Sequence, residues 1–270
     1  MLPNLVVIGA QKAGTTSLHR YLDRHPEVSM STPKELNFFT SPAWNWWRGV
    51  DWYESHFADA GAFAVRGESS PSYTTYPRET GIAERMHAVI PDARLVYMVR
   101  DPIDRMVSQY LHLRANGHEL RSLAEVCSDP ALADSTYVIQ GRYHLQLSQF
   151  LARYSRDRVL VIAQEDLLRR RRDTLRRVFR FLEVHPEFWA PELAVVANTA
   201  ADKAGGLRGR ARSVARTLPG PAASGAEALL ARSGRPRLKP GVRRRLTTHF
   251  AADADRLRRL TGRRFRSWSV

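Results

Sequence analysis

The stretch that decides the fold is Asn4-Leu-Val-Val-Ile-Gly9-Ala-Gln-Lys12-Ala-Gly14-Thr-Thr-Ser-Leu18. Its first part is a short, β-branched apolar run that ends in glycine, which is typical of a buried strand. The residues after Gly14 have helical apolar spacing through Leu18, Tyr21 and Leu22. We therefore predict a strand over 4–9, a tight loop, and a helix over 15–25.

The same order of elements recurs further along the chain. A second apolar run at 94–100 precedes Asp101-Pro102 and a helix that carries Ile103 to Leu111. A helix over about 142–154 precedes a third strand at 159–163, and a weaker strand lies near 62–67. Strands that alternate with helices predict an α/β, P-loop-like three-layer fold, in which helices flank a central parallel sheet.

The length of 270 residues suits a single domain over 1–270. Within it, residues 199–241 are dominated by Ala, Gly, Ser, Pro and Arg, which predicts a mobile connection or lid. The chain then has an amphipathic pattern over 241–261, and we expect this helix to dock on the core through Val242, Leu246, Phe250, Leu257 and Leu260.

The charge is lopsided. The chain holds 42 basic and 27 acidic residues, a net +15, but residues 1–150 hold 14 and 16, a net −2. Such a balance points to an anionic substrate, cofactor or surface, with nucleic acid as one candidate. The basic residues beyond 150 lack interleaved aromatic residues and any known base-reading motif, so we expect no nucleic-acid partner.

Cysteine and hydropathy patterns exclude other classes. The single cysteine, Cys127, excludes an internal disulfide framework and a cysteine-based structural zinc site. No apolar run reaches the roughly 18 residues of a membrane span. The first residues lack a basic segment followed by a long apolar one, so no secretory signal is predicted and the cytoplasm is the expected location.

The loop between Gly9 and Gly14 keeps the G-x-x-x-x-G spacing of a nucleotide-binding P-loop, but its lysine is displaced. A nucleotidase has lysine directly after the second glycine, whereas here position 15 is threonine and the lysine is Lys12. The strand at 94–100 ends in Arg100, where a metal-dependent enzyme would need an aspartate. The pattern therefore predicts a site that binds an anion without a metal ion. The alternative function is that of a P-loop small-molecule kinase.

Three segments carry a family resemblance. The segment Ile8–Leu18 resembles the 5′-phosphosulfate loop of sulfotransferases that use 3′-phosphoadenosine 5′-phosphosulfate (PAPS). The segment Arg100–Tyr110 resembles their 3′-phosphate motif. Lys34-Glu-Leu-Asn-Phe-Phe39 is similar to the Lys-Glu-x-x-Phe-Phe element of the heparan-sulfate sulfotransferases, so the closest branch is the heparan-sulfate-like one, in a soluble bacterial form.

The resemblance spans most of the chain and is strong over 4–180, and it fails in two places. The cysteine-flanked loop of the family is absent, since Cys127 is alone. The late Lys-Gly-Arg element that contacts cofactor has no clean equivalent, and alternative alignments place it at Arg232 or Arg235.

The resemblance implies a cofactor site for PAPS, with 3′-phosphoadenosine 5′-phosphate (PAP) as the product. Lys12 would neutralise charge on the leaving 5′-phosphate, and Arg100 and Ser108 would hold the 3′-phosphate. The other implied contacts are the loop residues Ala13, Gly14, Thr15, Thr16 and Ser17, together with Tyr143, Arg232 and Arg235.

Glu35 would be the catalytic base that removes the acceptor's proton. We expect its carboxylate to be buried among Phe38, Phe39 and nearby tryptophans. Two alternatives stay open: Glu35 is only an ion-pair partner of Lys34 or of arginines, or the base is a histidine, with His56 the first to test.

The implied reaction is in-line sulfuryl transfer to a hydroxyl, with an amine as the second choice, of a carbohydrate or glycosylated metabolite. An anionic acceptor is among the candidates. Four of the six tryptophans, Trp44, Trp46, Trp47 and Trp52, fall within nine residues, and they form either an acceptor rim or a flap that seals the core. The residues expected to contact the acceptor are Lys34, Asn37, Trp47, Trp52, Ser70 and Tyr73.

Overall fold

The computed structural model describes residues 1–41, 44–194 and 238–270. In these ranges the strands form one parallel sheet in the order β2-β3-β1-β4-β5. The strands are β1 (Leu5–Gly9), β2 (Val28–Met30), β3 (Val65–Ser69), β4 (Arg94–Val99) and β5 (Val159–Ala163). The predicted α/β fold, a central parallel sheet flanked by helices, is confirmed.

Helices connect the strands and cover the sheet. They are α1 (Thr15–Leu22), α2 (Gly49–Ser55), α3 (Ile82–Val89), α4 (Pro102–Ala115), α5 (Leu123–Ser128), α6 (Thr136–Ile139), α7 (Tyr143–Leu151), α8 (Gln164–Arg169), α9 (Arg171–Leu182) and a terminal helix (Pro240–Thr261). Short 3-10 helices lie at Trp46–Arg48, Ala58–Ala60, Pro71–Tyr73, Pro130–Asp134, Arg156–Arg158 and Pro191–Ala194.

The core lies on both faces of the central strands. Every residue of β1 is buried, as is the apolar run Leu95–Val99 in β4. Continuous burial suits strands with helices packed on both faces, which is why these runs are apolar without alternation. β1 occupies the middle position, paired with β3 on one side and β4 on the other.

The strand order creates a switch point at β1. From β1 the chain moves to one side to form β2 and β3, and it then crosses to the other side to form β4 and β5. In open α/β sheets the crevice beyond the carboxyl ends of such strands is where ligands bind. The segments after β1, β3 and β4 therefore converge at one edge, which is the candidate site.

Most predicted elements are confirmed, with shifted ends. The strands at 4–9, 94–100 and 159–163 and the helices after them are present. The helix predicted over 15–25 ends at Leu22, ahead of Pro26. The strand predicted near 62–67 is present but shifted towards the C-terminus: β3 is Val65–Ser69, and its last two residues are polar, which hid the end of the strand from the apolar pattern.

The terminal helix docks as predicted. Leu246, Phe250 and Leu257 are fully buried or nearly so. Asp253 accepts hydrogen bonds from the backbone N–H groups of His144 (2.8 Å) and Leu145 (2.9 Å) and so caps the start of α7. Residues 199–237 of the predicted lid, with Arg232 and Arg235, lie outside the described residues. No described helix combines the length and apolarity needed to cross a bilayer.

Gly141 sets how closely the terminal helix approaches α7. A Cβ there would lie 2.7 Å from Cε1 of Phe250, a rigid ring with no room to yield. We expect Gly141→Ala to lower the free energy of unfolding by about 1–3 kcal/mol, the usual cost of overpacking. Gly241→Ala, whose Cβ would meet nothing within 4 Å, is the matched control and leaves stability unchanged or slightly higher. Equal denaturation midpoints for the two variants would contradict this packing account.

Candidate active site

The loop between β1 and α1 forms the floor of the site. The Ala10 N–H donates to the Met98 carbonyl at 2.6 Å, so the loop continues the pairing of β1 with β4. Gly14 has a φ of 94°, in a region that favours glycine, and it directly precedes Thr15 at the start of α1. N–H groups at a helix start have no acceptor within the helix, and they suit an anion. The Ser17 N–H already donates to the Gly14 carbonyl at 3.1 Å.

At the start of the loop, Gly9 packs closely against the side chain of Thr74. A Cβ at Gly9 would lie 2.2 Å from Oγ1 of Thr74, which is fully buried in the segment after β3. Glycine at position 9 is therefore needed for the segments after β1 and β3 to meet. This contact joins the two sides of the switch point.

The structure brings Lys12 and Arg100 together. Arg100 Nη1 donates to the Lys12 carbonyl at 3.2 Å, and both residues are half-buried. Lys12 has a φ of 67°, so the loop turns sharply at this residue. A lysine and an arginine, 88 positions apart in the chain, thus lie at one edge of the sheet, as the sequence predicted.

Tyr143 contacts the backbone of Arg100. Its side chain is fully buried, and its hydroxyl accepts a hydrogen bond from the Arg100 N–H at 3.3 Å. Burial raises its pKa, so the hydroxyl stays protonated and able to donate. The structure thus places Tyr143 behind the Arg100 backbone. Ser108 is half-buried in α4, the helix that starts directly after this strand end.

The last residues of the chain anchor the same strand end. The carboxylate of Asp101 accepts hydrogen bonds from the backbone N–H groups of Asp104 (2.8 Å) and Ser269. The Asp101 N–H donates to Glu165 at 2.9 Å, and Trp268 Nε1 donates to the same carboxylate at 3.4 Å. No local sequence pattern indicated these partners, because the residues are far apart in the chain.

The segment Lys34–Phe39 is held by Glu68, and no local pattern predicted this role. Glu68 is fully buried at the end of β3, and its carboxylate accepts hydrogen bonds from the hydroxyls of Tyr53 (2.8 Å), Tyr73 (2.7 Å) and Ser70 (2.5 Å). It also accepts from the Leu36 N–H. Burial raises the pKa of Glu68, and the donors act in the opposite direction.

Further bonds fix the backbone beside Glu35. The Ser69 N–H donates to the Lys34 carbonyl at 3.1 Å, and the Asn37 N–H donates to Ser70 Oγ at 2.9 Å. The Asn37 side chain accepts from Ser72 Oγ at 2.5 Å. Ser70, Tyr73 and Asn37 therefore shape the segment that carries Glu35. Ser70 and Tyr73 are buried, and their expected contact with an acceptor stays a prediction.

Glu35 differs from expectation in its exposure. Its side chain is 50% exposed, and Lys34 Nζ lies 2.6 Å from its Oε1. The expected burial of this carboxylate is wrong: Phe38 and Phe39 are fully buried and point into the core instead. An exposed ion pair of this kind contributes about 0–1 kcal/mol, so it opens readily when another group competes for either partner.

The four clustered tryptophans were predicted to form either an acceptor rim or a flap that seals the core, and they fall into two pairs. Trp46 and Trp52 pack against the core, with Trp46 5.1 Å from the ring of Phe38, and they seal it. Trp44 and Trp47 are 56% and 66% exposed. The guanidinium of Arg48 lies 5.1 Å from the ring of Trp47 and 4.9 Å from that of Trp52, within cation–π range.

Two histidines lie near this segment. His56 packs edge-on against Trp52 at 4.6 Å between centroids, which places it in the aromatic cluster. His19, on α1, lies with Nδ1 3.0 Å from Ser69 Oγ. Burial, together with Lys34 nearby, lowers the pKa of His19 from its usual 6.5 to about 4. His19 is therefore neutral at pH 7 and ties α1 to the end of β3.

The arrangement suits anion binding and proton removal. N–H groups at a helix start, Lys12 and Arg100 form one charged end, and an exposed carboxylate lies on the neighbouring segment. Among the described residues, no group of three or more His, Cys, Asp or Glu side chains is placed to hold a metal ion.

Comparison with known proteins decides the family. A family model described as "Sulfotransferase domain" matches residues 2–198. The chain belongs to the sulfotransferase family. This match confirms the resemblance noted from the sequence and the expected class of enzyme, a sulfotransferase. The family match favours this class over the alternative of a P-loop small-molecule kinase.

Relatives of this sulfotransferase support the branch. It is 28% identical over 200 residues to the human "bifunctional heparan sulfate N-deacetylase/N-sulfotransferase 2", a match that covers 68% of this chain and 22% of that protein. It is 37% identical over 112 residues to "membrane-associated sulfotransferase kil1" of Dictyostelium discoideum, with 40% and 22% covered. The sulfotransferase thus spans about a fifth of the length of these relatives.

Solved structures agree with the fold. A sulfotransferase from Alicyclobacillus acidocaldarius superposes over 100% of both chains with a TM-score of 0.74 and 27% identity. A mouse sulfotransferase complexed with PAP superposes over 96% of this chain and 88% of that one, with a TM-score of 0.56 and 14% identity. At that identity the second likeness shows the fold alone.

The buried histidine beside the site gives the sulfotransferase a pH-dependent stability. Between pH 6.5 and 4 the unfolded chain binds a proton at His19 and the folded chain does not, so acid favours unfolding. The wild type should lose up to about 3 kcal/mol more across this window than His19→Asn, because 1 pKa unit equals about 1.4 kcal/mol. Urea unfolding at several pH values measures this.

The control replaces an exposed histidine. His118 is exposed, and His118→Asn should keep the wild-type dependence on pH. If the His19→Asn profile followed the wild type between pH 6.5 and 4, the inference that His19 is buried in the neutral form would be wrong.

Proposed function

We propose that this sulfotransferase moves the sulfuryl group of PAPS to a hydroxyl of a carbohydrate or glycosylated metabolite, with Glu35 as general base. The observation that carries the proposal is the meeting of the Lys12 loop with Arg100 beside the segment of Glu35. Lys12 and Arg100 are joined by a 3.2 Å hydrogen bond. The segment that carries Glu35 supports the proposal because it is hydrogen-bonded to Ser69 and Ser70, where β3, the neighbour of β1, ends at the same edge of the sheet.

The residues present fit a nucleotide that carries phosphate at both ends. The start of α1 with Lys12 offers N–H donors and a cation for a 5′-phosphosulfate. Arg100 and Ser108 offer a guanidinium and a hydroxyl for a 3′-phosphate, a pairing that gives charge-assisted hydrogen bonds. When bound, PAPS would supply an activated sulfuryl group on a phosphate leaving group.

Lys12 would stabilise the charge that grows on the leaving phosphate oxygen as its bond to sulfur breaks. Lysine serves this role as a compact point charge. Thr15 and Thr16, at the start of α1, would hold the 5′-phosphate in line with the attacking oxygen through their N–H groups, and the hydroxyls of Thr16 and Ser17 would add bonds. Ala13 and Gly14 belong to the same loop, so we include them among the residues that would contact the 5′-phosphate.

Glu35 would accept the proton of the acceptor hydroxyl as its oxygen forms the new bond to sulfur. The exposed carboxylate can reach an incoming hydroxyl without unfolding the segment, because its backbone is held by Ser69 and Glu68. Lys34, now paired with Glu35 at 2.6 Å, would be free to contact an anionic acceptor once that pair opens.

The acceptor would lie along the exposed aromatic edge. Trp47 is 66% exposed, and it flanks Arg48 together with Trp52. An indole ring covers the apolar face of a sugar, and an adjacent guanidinium suits a carboxylate or sulfate on it. An anionic saccharide fits both features, and the relatives named for heparan sulfate support that class.

Two substitutions test the division of labour. Glu35→Gln should lower kcat by about 10²–10⁴, the usual contribution of a general base, and leave PAP affinity unchanged. Lys12→Ala should lower kcat by about 10²–10³ through lost charge stabilisation, and it should also weaken PAP. Transfer of labelled sulfate and calorimetric titration with PAP give the two readings.

Glu84→Gln is the matched control. Glu84 forms a similarly exposed ion pair, with Arg153 at 3.3 Å, but on α3. It should keep wild-type activity. Near-normal turnover of Glu35→Gln would exclude Glu35 as the base, and His56→Asn would then be tested in its place.

A further inference from the structure

Arg105 is a buried cation without a buried anion beside it. Its side chain is fully buried in α4. Its guanidinium donates to Gln109 Oε1 at 2.8 Å, to Gln140 Oε1 at 3.4 Å and to the Tyr137 carbonyl. All three acceptors are neutral, and Nε has no hydrogen-bond partner. Within residues 1–41, 44–194 and 238–270 no carboxylate forms an ion pair with it.

Such a group is costly to keep. Removing an ion from water costs several kcal/mol, and buried arginines are usually paired with carboxylates. Glu68, another fully buried charged residue, is compensated by three hydroxyl donors. The exception therefore calls for a function.

The location of Arg105 on α4 points to a function. It lies one helical turn before Ser108 on α4, a spacing that places both residues on neighbouring positions of one helix face. The nearest groups from other elements are Tyr97 of β4, Tyr137 and Gln140 around α6, and Tyr143 of α7. The Tyr143 hydroxyl in turn accepts from the Arg100 N–H.

Arg100 and Arg105 are close enough to repel each other. Burial lowers the pKa of Arg105, and the charge of Arg100 acts in the same direction. The charges of Arg100 and Arg105 both act on Tyr143, and together they create a positive potential near the end of β4. An anion held between Arg100 and Ser108 would relieve it.

We propose that Arg105 is a positioning residue that supplies buried positive charge behind the 3′-phosphate site, and that a phosphate held by Arg100 and Ser108 compensates this charge. The proposal rests on the proposed function, because it assigns the 3′-phosphate to those two residues. Arg105 acts through the low dielectric of the interior, where a charge is felt more strongly than in water. Arg105 would thereby make the affinity for a nucleotide depend on its 3′-phosphate.

The test compares two nucleotides that differ only at the 3′ position. Calorimetric titrations with PAP and with adenosine 5′-phosphate give the 3′-phosphate preference, the ratio of their dissociation constants. Arg105→Gln should lower this ratio about tenfold or more, mainly through weaker PAP binding, since one buried charge near a dianion is worth more than about 1.4 kcal/mol. Adenosine 5′-phosphate should bind the variant nearly as it binds wild type.

Two further variants separate charge from structure. Arg105→Lys keeps the charge and should recover most of the preference. Arg114→Gln, at an exposed position of the same helix that donates to the carbonyls of Leu120 and Arg121, should leave it unchanged. Thermal unfolding of each variant without ligand shows that the fold is retained.

The outcomes separate the assignment of the 3′-phosphate site from the role of Arg105. A wild type without preference for PAP would contradict the 3′-phosphate assignment and, with it, the role of Arg105. A wild type that prefers PAP, with an equal preference in Arg105→Gln, would overturn the Arg105 proposal alone. Equal losses for both nucleotides in Arg105→Gln and Arg105→Lys would show a purely structural role and also overturn it.

Discussion

The parallel pairing of β1 with β4 is the interaction on which the rest of the site depends. It continues into the loop through the 2.6 Å bond from the Ala10 N–H to the Met98 carbonyl, and the side chain of Arg100 then reaches back to Lys12. Because both strands run in the same direction, their carboxyl ends open at one edge of the sheet. The positive groups of the site are thus placed by backbone pairing.

A second layer of buried polar groups holds the segment that carries Glu35 against this edge. Glu68 gathers the hydroxyls of Tyr53, Ser70 and Tyr73, and His19 reaches Ser69 from α1. Buried polar groups are stable only when they are hydrogen-bonded, so this network fixes the backbone around Glu35 while the carboxylate itself stays exposed. A fixed backbone with an exposed side chain suits the role of general base proposed for Glu35.

The sequence predicted the elements with strong periodicity and the residues in local motifs. The strands 4–9 and 159–163 follow from local apolar patterns, whereas the family resemblance implied that Lys12 and Arg100 belong to one site. β2 is only three residues long, too short for a periodic signal. The exposure of Glu35 could not be predicted, because Phe38 and Phe39 turn into a core built from distant segments. The bond from Ser269 to Asp101 joins positions 168 apart, and no local signal marks it.

Transfer of labelled sulfate from PAPS, measured in EDTA against a panel of glycans and glycosylated metabolites, tests the central claim most directly. The account predicts sulfated product from at least one acceptor that offers a free hydroxyl, with an anionic saccharide preferred over its neutral counterpart and with no need of added metal. Transfer that required a divalent cation, or an ATP-dependent phosphorylated product in its place, would contradict it.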